Sequence, residues 1–296
     1  MSTGMSTGNG VAWRGNVMRR WRRLLLAVGL VLGSGLLPGA GVLAAEGAVA
    51  DAAARIVAEA GDHRIVVIGE MHGTREAPAV AAALARHYAG EGPVLVALEV
   101  WRTEHGALSA YLRSDGSVAA RARMRAGPFW DAPPERNDGR RTEDALDLVE
   151  AVRQLRVAGH DVAVMPFDIG PDDYTNSAAR DRDMAFVLRS AYEALPRGRL
   201  LVLTGNVHAM RWPPSRIDDG VYRTATQLLE DLEPFSVHLA ASSGGFWACS
   251  MGTCGVRQLN VPMKTGAFGD QFHFVYAMPE FTVARLIGEE VEPDAP

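Results

Sequence analysis

The chain has 296 residues, 48% of them hydrophobic and 22% charged, and a formal net charge of −5. This is enough for one large domain or two small ones and reads as one. Residues 1–44 hold Arg14, Arg19, Arg20, Arg22 and Arg23 and no acid, so without them the charge falls to about −10. A balance this acidic argues against nucleic acid or an anionic membrane surface as a partner.

The start has the pattern of an export signal: a basic run over 18–23, an apolar stretch over 24–37 broken by glycines, and small residues over 41–45 suited to cleavage. The apolar stretch is short of the ~20 residues that a membrane span needs. The reading is a leader over 1–44 and an exported mature chain, periplasmic or secreted, over 45–296, with no stable span after cleavage. An uncleaved anchor is the alternative.

An alanine-rich stretch over 48–60 predicts a helix. It is followed by Ile65-Val66-Val67-Ile68, a β-leaning run that ends in Gly69-Glu70-Met71-His72-Gly73. In an extended backbone residues two apart share a face, so Glu70 and His72 can reach toward one site. Three later runs end in the same way: 94–98 before Glu99, 162–167 before Asp168, and 200–207 before His208. Short continuous apolar runs separated by helical patterns predict parallel strands covered on both faces. The fold class is therefore α/β, a mostly parallel sheet with helices on both faces. Ligands of open α/β sheets bind beyond the carboxyl ends of the strands, where these five residues would meet.

Between the strands, the spacing predicts helices over 78–88, 101–113, 142–158, 176–195 and 222–232. Arg75 and Glu76, in the turn before the first, would touch a ligand anion or pair with each other. Glu104 and His105 would sit on the surface or line the mouth of the pocket. The polar segment 117–141 has the composition of a loop or lid, and its Phe129 and Trp130 would contact an apolar substrate or pack the loop onto the body. Thr142 is placed as a helix cap. Arg180 shares the apolar face of its helix with Met184. It would clamp a substrate, hold Glu70 or Glu99, or pair with Asp168 or Asp181. Arg211 and Trp212 would border the pocket. The remainder finishes the sheet or adds a C-terminal β-hairpin, and Cys249 and Cys254 would staple that hairpin in an oxidising compartment.

Gly69-Glu70-Met71-His72-Gly73-Thr74-Arg75-Glu76, the strand ending in Glu99, Arg180-Asp181-Arg182-Asp183-Met184-Ala185 and Thr204-Gly205-Asn206-Val207-His208 together resemble the superfamily of erythromycin esterases, the haem-binding ChaN proteins and the Tiki/TraB proteases. The resemblance covers roughly 64–232. It implies a hydrolase, or in the ChaN-like branch a haem-binding protein of the envelope with His72 or a tyrosine as axial ligand.

The residues themselves suit hydrolysis of an ester, lactone or amide in a small molecule or peptide. His72 takes a proton from water and Glu70 or Glu99 orients it. His208 with Arg180 stabilises the developing charge. No Gly-x-Ser-x-Gly elbow is present, which favours activated water over a serine nucleophile. Glu70, His72, Glu99 and His208 are also suitable ligands for Zn²⁺, Mn²⁺ or Co²⁺, so a metal at the same site stays open. Asp168, Arg75, Arg211 and Trp130 complete the set as substrate contacts.

Overall fold

The four apolar runs become neighbouring strands because each carries hydrophobic side chains on both faces and needs a layer of helices on either side. The computed structural model describes residues 40–170, 173–214, 220–260 and 269–288. Residues 1–39 of the leader, and Pro171 and Asp172 in the turn after Asp168, lie outside the described residues. The chain runs α1 (Ala40–Ala60), β1 (Ile65–Glu70), α2 (Glu76–Ala89), β2 (Val94–Trp101), α3 (His105–Leu112), α4 (Val118–Arg125) and α5 (Glu143–Val157). It continues through β3 (Val162–Asp168), α6 (Ser177–Glu193), β4 (Arg199–Gly205), α7 (Asn206–Ala209), β5 (Phe235–Ala240), β6 (Gly245–Ser250), β7 (Thr253–Gln258) and β8 (Phe274–Ala277).

Six strands form one parallel sheet in the order β3-β2-β4-β1-β5-β8, and β6 and β7 form a separate antiparallel hairpin. The C-terminal part thus both finishes the sheet and adds a hairpin. Alternation along β1 divides the core. Val66 and Ile68 pack with Leu84 of α2 and Leu148 of α5 on one face, while Ile65 and Val67 pack with Met184 and Leu188 of α6 on the other. Each such side chain, fully buried, contributes about 1.5–3 kcal/mol. Among the described residues no helix is long and apolar enough to cross a membrane.

Helix starts follow their capping residues. Thr142 accepts from Ala145 N at 3.0 Å, and Asn176 accepts from Ala179 N at 2.9 Å. Other expectations are corrected. The helix expected over 101–113 begins only at His105, because β2 continues through an irregularity to Trp101. The helix expected over 222–232 is a 3₁₀ turn, Gln227–Leu232. Glu104 is buried and accepts from Phe129 N at 2.8 Å, so it anchors the 117–141 segment.

Two glycines join that segment to the end of β1. Gly73 and Gly139 have φ of +75° and +94°, and a Cβ on Gly139 would lie 2.8 Å from Gly73 N and 2.7 Å from Trp247 O. Gly73 N donates to Gly139 O at 2.9 Å, and Trp247 N donates to Gly73 O at 3.0 Å. Only a residue without a side chain permits three backbones to meet this closely in a left-handed conformation.

Candidate functional site

Strand order brings the site together. Reading β3-β2-β4-β1 across the sheet, Asp168 closes β3, Glu99 lies near the end of β2, His208 follows β4 by one turn, and Glu70 closes β1 with His72 just beyond. These carboxyl ends border a cavity of about 380 Å³, lined by Glu70, His72, Glu99, Arg180, Asn206 and His208 among others. The hairpin supplies another wall through Phe246, Ala248 and Cys249, and Cys249 is joined to Cys254 by a disulfide.

Glu99 is the buried centre, with its side chain 3% exposed. Its Oε2 accepts from Thr204 Oγ1 and Gly205 N, both at 2.7 Å. Its Oε1 accepts from Arg140 Nη1 at 3.1 Å and Arg180 Nη2 at 2.5 Å. Burial opposes ionisation, but His72 and the two guanidinium groups outweigh it and hold the carboxyl well below the usual range. Asp168 is clamped by the same two arginines, at 2.8 Å from Arg140 Nη1 and 2.7 Å from Arg180 Nη2. Arg140 is fixed in turn by Asp138, which accepts from its Nη2 at 2.7 Å. Burial works against the charge on Asp138, yet Arg140 draws its pKa down to about 2.

The two histidines differ. His208 Nδ1 lies 2.7 Å from Asp181 Oδ1, and its Nε2 lies 2.9 Å from Arg180 Nη1. A guanidinium can only donate, so these partners assign the proton to Nδ1 and make Nε2 the acceptor. Asp181 also accepts from Tyr222 Oη at 2.7 Å and Ala225 N at 2.8 Å. His72 Nδ1 faces Glu70 Oε1 at 2.9 Å, while its Nε2 stands 3.7 Å from Glu99 Oε1, beyond hydrogen-bond length. Burial lowers the pKa of His72, but Glu99 and Glu70 more than reverse this and raise it above 6.5.

The remaining expected contacts lie elsewhere. Arg75 donates to Val283 O at 3.0 Å, and Glu76 accepts from Thr282 N, so the two neither pair with each other nor line this cavity. Trp130 is 1% exposed and packs edge-to-face on Phe129, 4.8 Å away, so both rings hold the segment to the body. Arg211 stacks over Trp212 and lines a different cavity with His63 and His273. Arg180 has little left for a substrate, since its Nε, Nη1 and Nη2 are already occupied.

Asp138 and Arg140 are site residues that the sequence did not single out, and Asp181 and Thr204 were not expected to hold His208 and Glu99. One signal was readable: Arg140 and Arg141 stand just ahead of the Thr142 cap, where a helix disfavours positive charge. A cation kept there has a partner elsewhere.

The donor set fits neither group that the motifs raise. Every Glu99 oxygen already accepts from a protein donor, and two cations stand among the carboxylates. No group of three or more His, Cys, Asp or Glu among the described residues is arranged to hold a metal ion. For haem, His72 keeps Nε2 open, but a porphyrin face beside it would meet Glu99, Asp138, Arg140 and Arg180 in the cavity lining, and Tyr222 is buried against Asp181.

No protein-family model matches the chain, and no curated protein matches it. Solved structures do. A succinoglycan biosynthesis protein superposes with a TM-score of 0.60 at 11% identity, covering 78% of this chain and 91% of that one. A Bacillus cereus protein gives 0.55 at 14% identity, covering 74% and 76%. An erythromycin esterase in its open conformation gives 0.54 at 13% identity, covering 72% and 80%. A haem-bound ChaN of Campylobacter jejuni matches more loosely, at 0.36. The erythromycin esterases are among the groups that the motifs resemble, and the chain shares that esterase's fold.

Proposed function

We propose that this protein is an exported hydrolase in which His72 activates water against an ester, lactone or amide carbonyl. The observation that carries the reading is the Glu70–His72 pair, 2.9 Å apart, whose second imidazole nitrogen is left without a hydrogen bond inside the cavity. Glu70 accepts from Nδ1–H, and Nε2 takes the proton from water; the hydroxide attacks the carbonyl carbon, and as the ester or amide bond breaks the proton passes from Nε2 to the leaving alcohol or amine. Glu99 favours the imidazolium that results, because its negative charge is fixed 3.7 Å away. Asn206, which lines the cavity beside His208, is positioned to donate to the carbonyl oxygen as it gains charge. His208 braces the site instead of stabilising the developing charge. With Nε2 accepting from Arg180, it orients that arginine and does not meet the substrate. The disulfide, which needs an oxidising compartment, supports export.

The test is hydrolysis of a panel of lactones, esters and peptides, with and without chelator, by the purified protein and by Glu70→Gln. Turnover that survives chelation and is lost in Glu70→Gln supports the proposal. A Soret band on mixing with hemin that disappears in His72→Ala would instead favour haem. Export is checked by N-terminal sequencing of protein recovered outside the cytoplasm, which should begin near Ala45.

A further inference from the structure

β3 (Val162–Asp168) is an edge strand, and a groove of about 630 Å³ runs beside it, away from the carboxyl-end cavity. The groove has an apolar floor of Leu95, Ala163 and Met165, which are only partly covered although they lie on the sheet. Leu112 of α3 and Val187 of α6 also line it. The ionisable residues lining it are Arg102, His105, Arg113 and Arg156, with no carboxylate among them. That is a local reversal in a chain of net charge −5.

These cations are not equally occupied. Arg102 pairs with Asp183 at 3.1 Å, and Arg156 donates to Val162 O at 2.7 Å. The Arg113 side chain is exposed and makes no hydrogen bond or ion pair with a described residue. An apolar trough with a free cation at its rim is complementary to a hydrophobic chain that ends in an anion. An added peptide strand is a poorer occupant. Pro166 has no N–H to offer it, and Arg156 already covers the Val162 carbonyl.

We propose that this groove binds a single-chain alkyl carboxylate, with the chain along the Leu95–Met165 floor and the carboxylate on Arg113. The site stands apart from the hydrolytic reading and does not depend on it.

The experiment titrates the full chain with dodecanoate, below its micelle concentration, by calorimetry. Dodecyltrimethylammonium, a hexaglutamate peptide and anionic phospholipid vesicles serve as parallel ligands. Saturable one-to-one binding of dodecanoate is expected, with Arg113→Gln weakening it about tenfold, the loss of one charge contact. Arg113 is a surface residue, and unchanged circular dichroism confirms that its variant folds. Val187→Asp, which places a charge on the apolar wall, should weaken binding as well. The proposal is overturned if dodecanoate does not saturate or if the cationic surfactant binds equally well. It is also overturned if neither substitution changes the affinity, or if only the peptide or the vesicles bind.

Discussion

The two ends of the site treat the same side chain in opposite ways. At the β4 end, both ring nitrogens of His208 are committed, one to Asp181 and one to Arg180. At the β1 end, His72 commits Nδ1 to Glu70 and keeps Nε2 for the cavity. The His208 end belongs to a clamp of two arginines and two carboxylates in which nearly every donor and acceptor is satisfied. Such networks hold geometry, because any lone member would be an uncompensated buried charge. The His72 end is left with one ring nitrogen whose lone pair has no donor, which is what a proton acceptor needs. An imidazole near a sheet edge is therefore a base or a brace according to whether its second nitrogen is taken.

Substitutions should separate these roles. Glu99→Gln removes the charge between the two arginines and should destabilise the fold by about 3–5 kcal/mol, read from urea unfolding; a loss under about 1 kcal/mol would mean the clamp is not structural. Above the folded pKa of His72, His72→Ala should leave unfolding almost unchanged while hydrolysis drops about 10²–10⁴-fold, the usual share of a general base. If His208→Ala costs turnover without costing stability, the assignment of the two histidines is reversed. Gly139→Ala should cost about 1–3 kcal/mol, since its φ of +94° is strained for alanine and its Cβ would press on Trp247 O. Because Gly139 ties the Arg140 segment to the His72 turn, turnover should fall with it.

The pH dependence is the finest test. A base must be unprotonated, so the rate should climb as pH rises, with a midpoint above 6.5, because the neighbouring carboxylates raise the pKa of His72. Glu70→Gln should move the midpoint of any residual turnover downward. For His72, stability runs opposite to the rate. The contribution of His72 is complete below 6.5 and is lost as pH rises through its folded value. That of Glu99 is present above 4.5 and is lost as pH falls through its depressed folded value. A rate profile flat from pH 5 to 9 would remove His72 from the role of base.

The strands and the convergence of Glu70, His72, Glu99, Asp168 and His208 were legible because both depend on local signals. Continuous apolar runs mark buried parallel strands, and a polar residue at the end of each run marks the edge where they meet. Met184 and Leu188 likewise announced the face of α6 on which Arg180 lies. Arg75, Arg211 and Trp130 were misplaced because proximity along the chain to a site residue says little about where a long side chain ends. Arg75 turns toward Val283, and Trp130 is drawn into the core by its own apolar area.

By itself, then, the order of residues determined which strands form and which chemical groups reach their carboxyl ends, since hydrophobic periodicity acts over a few residues. Only the tertiary structure decided what those groups do. Arg140 arrives from 41 positions beyond Glu99, and Asp181 from 27 before His208. A proton's place on an imidazole depends on such neighbours, and packing alone brings them within hydrogen-bond distance.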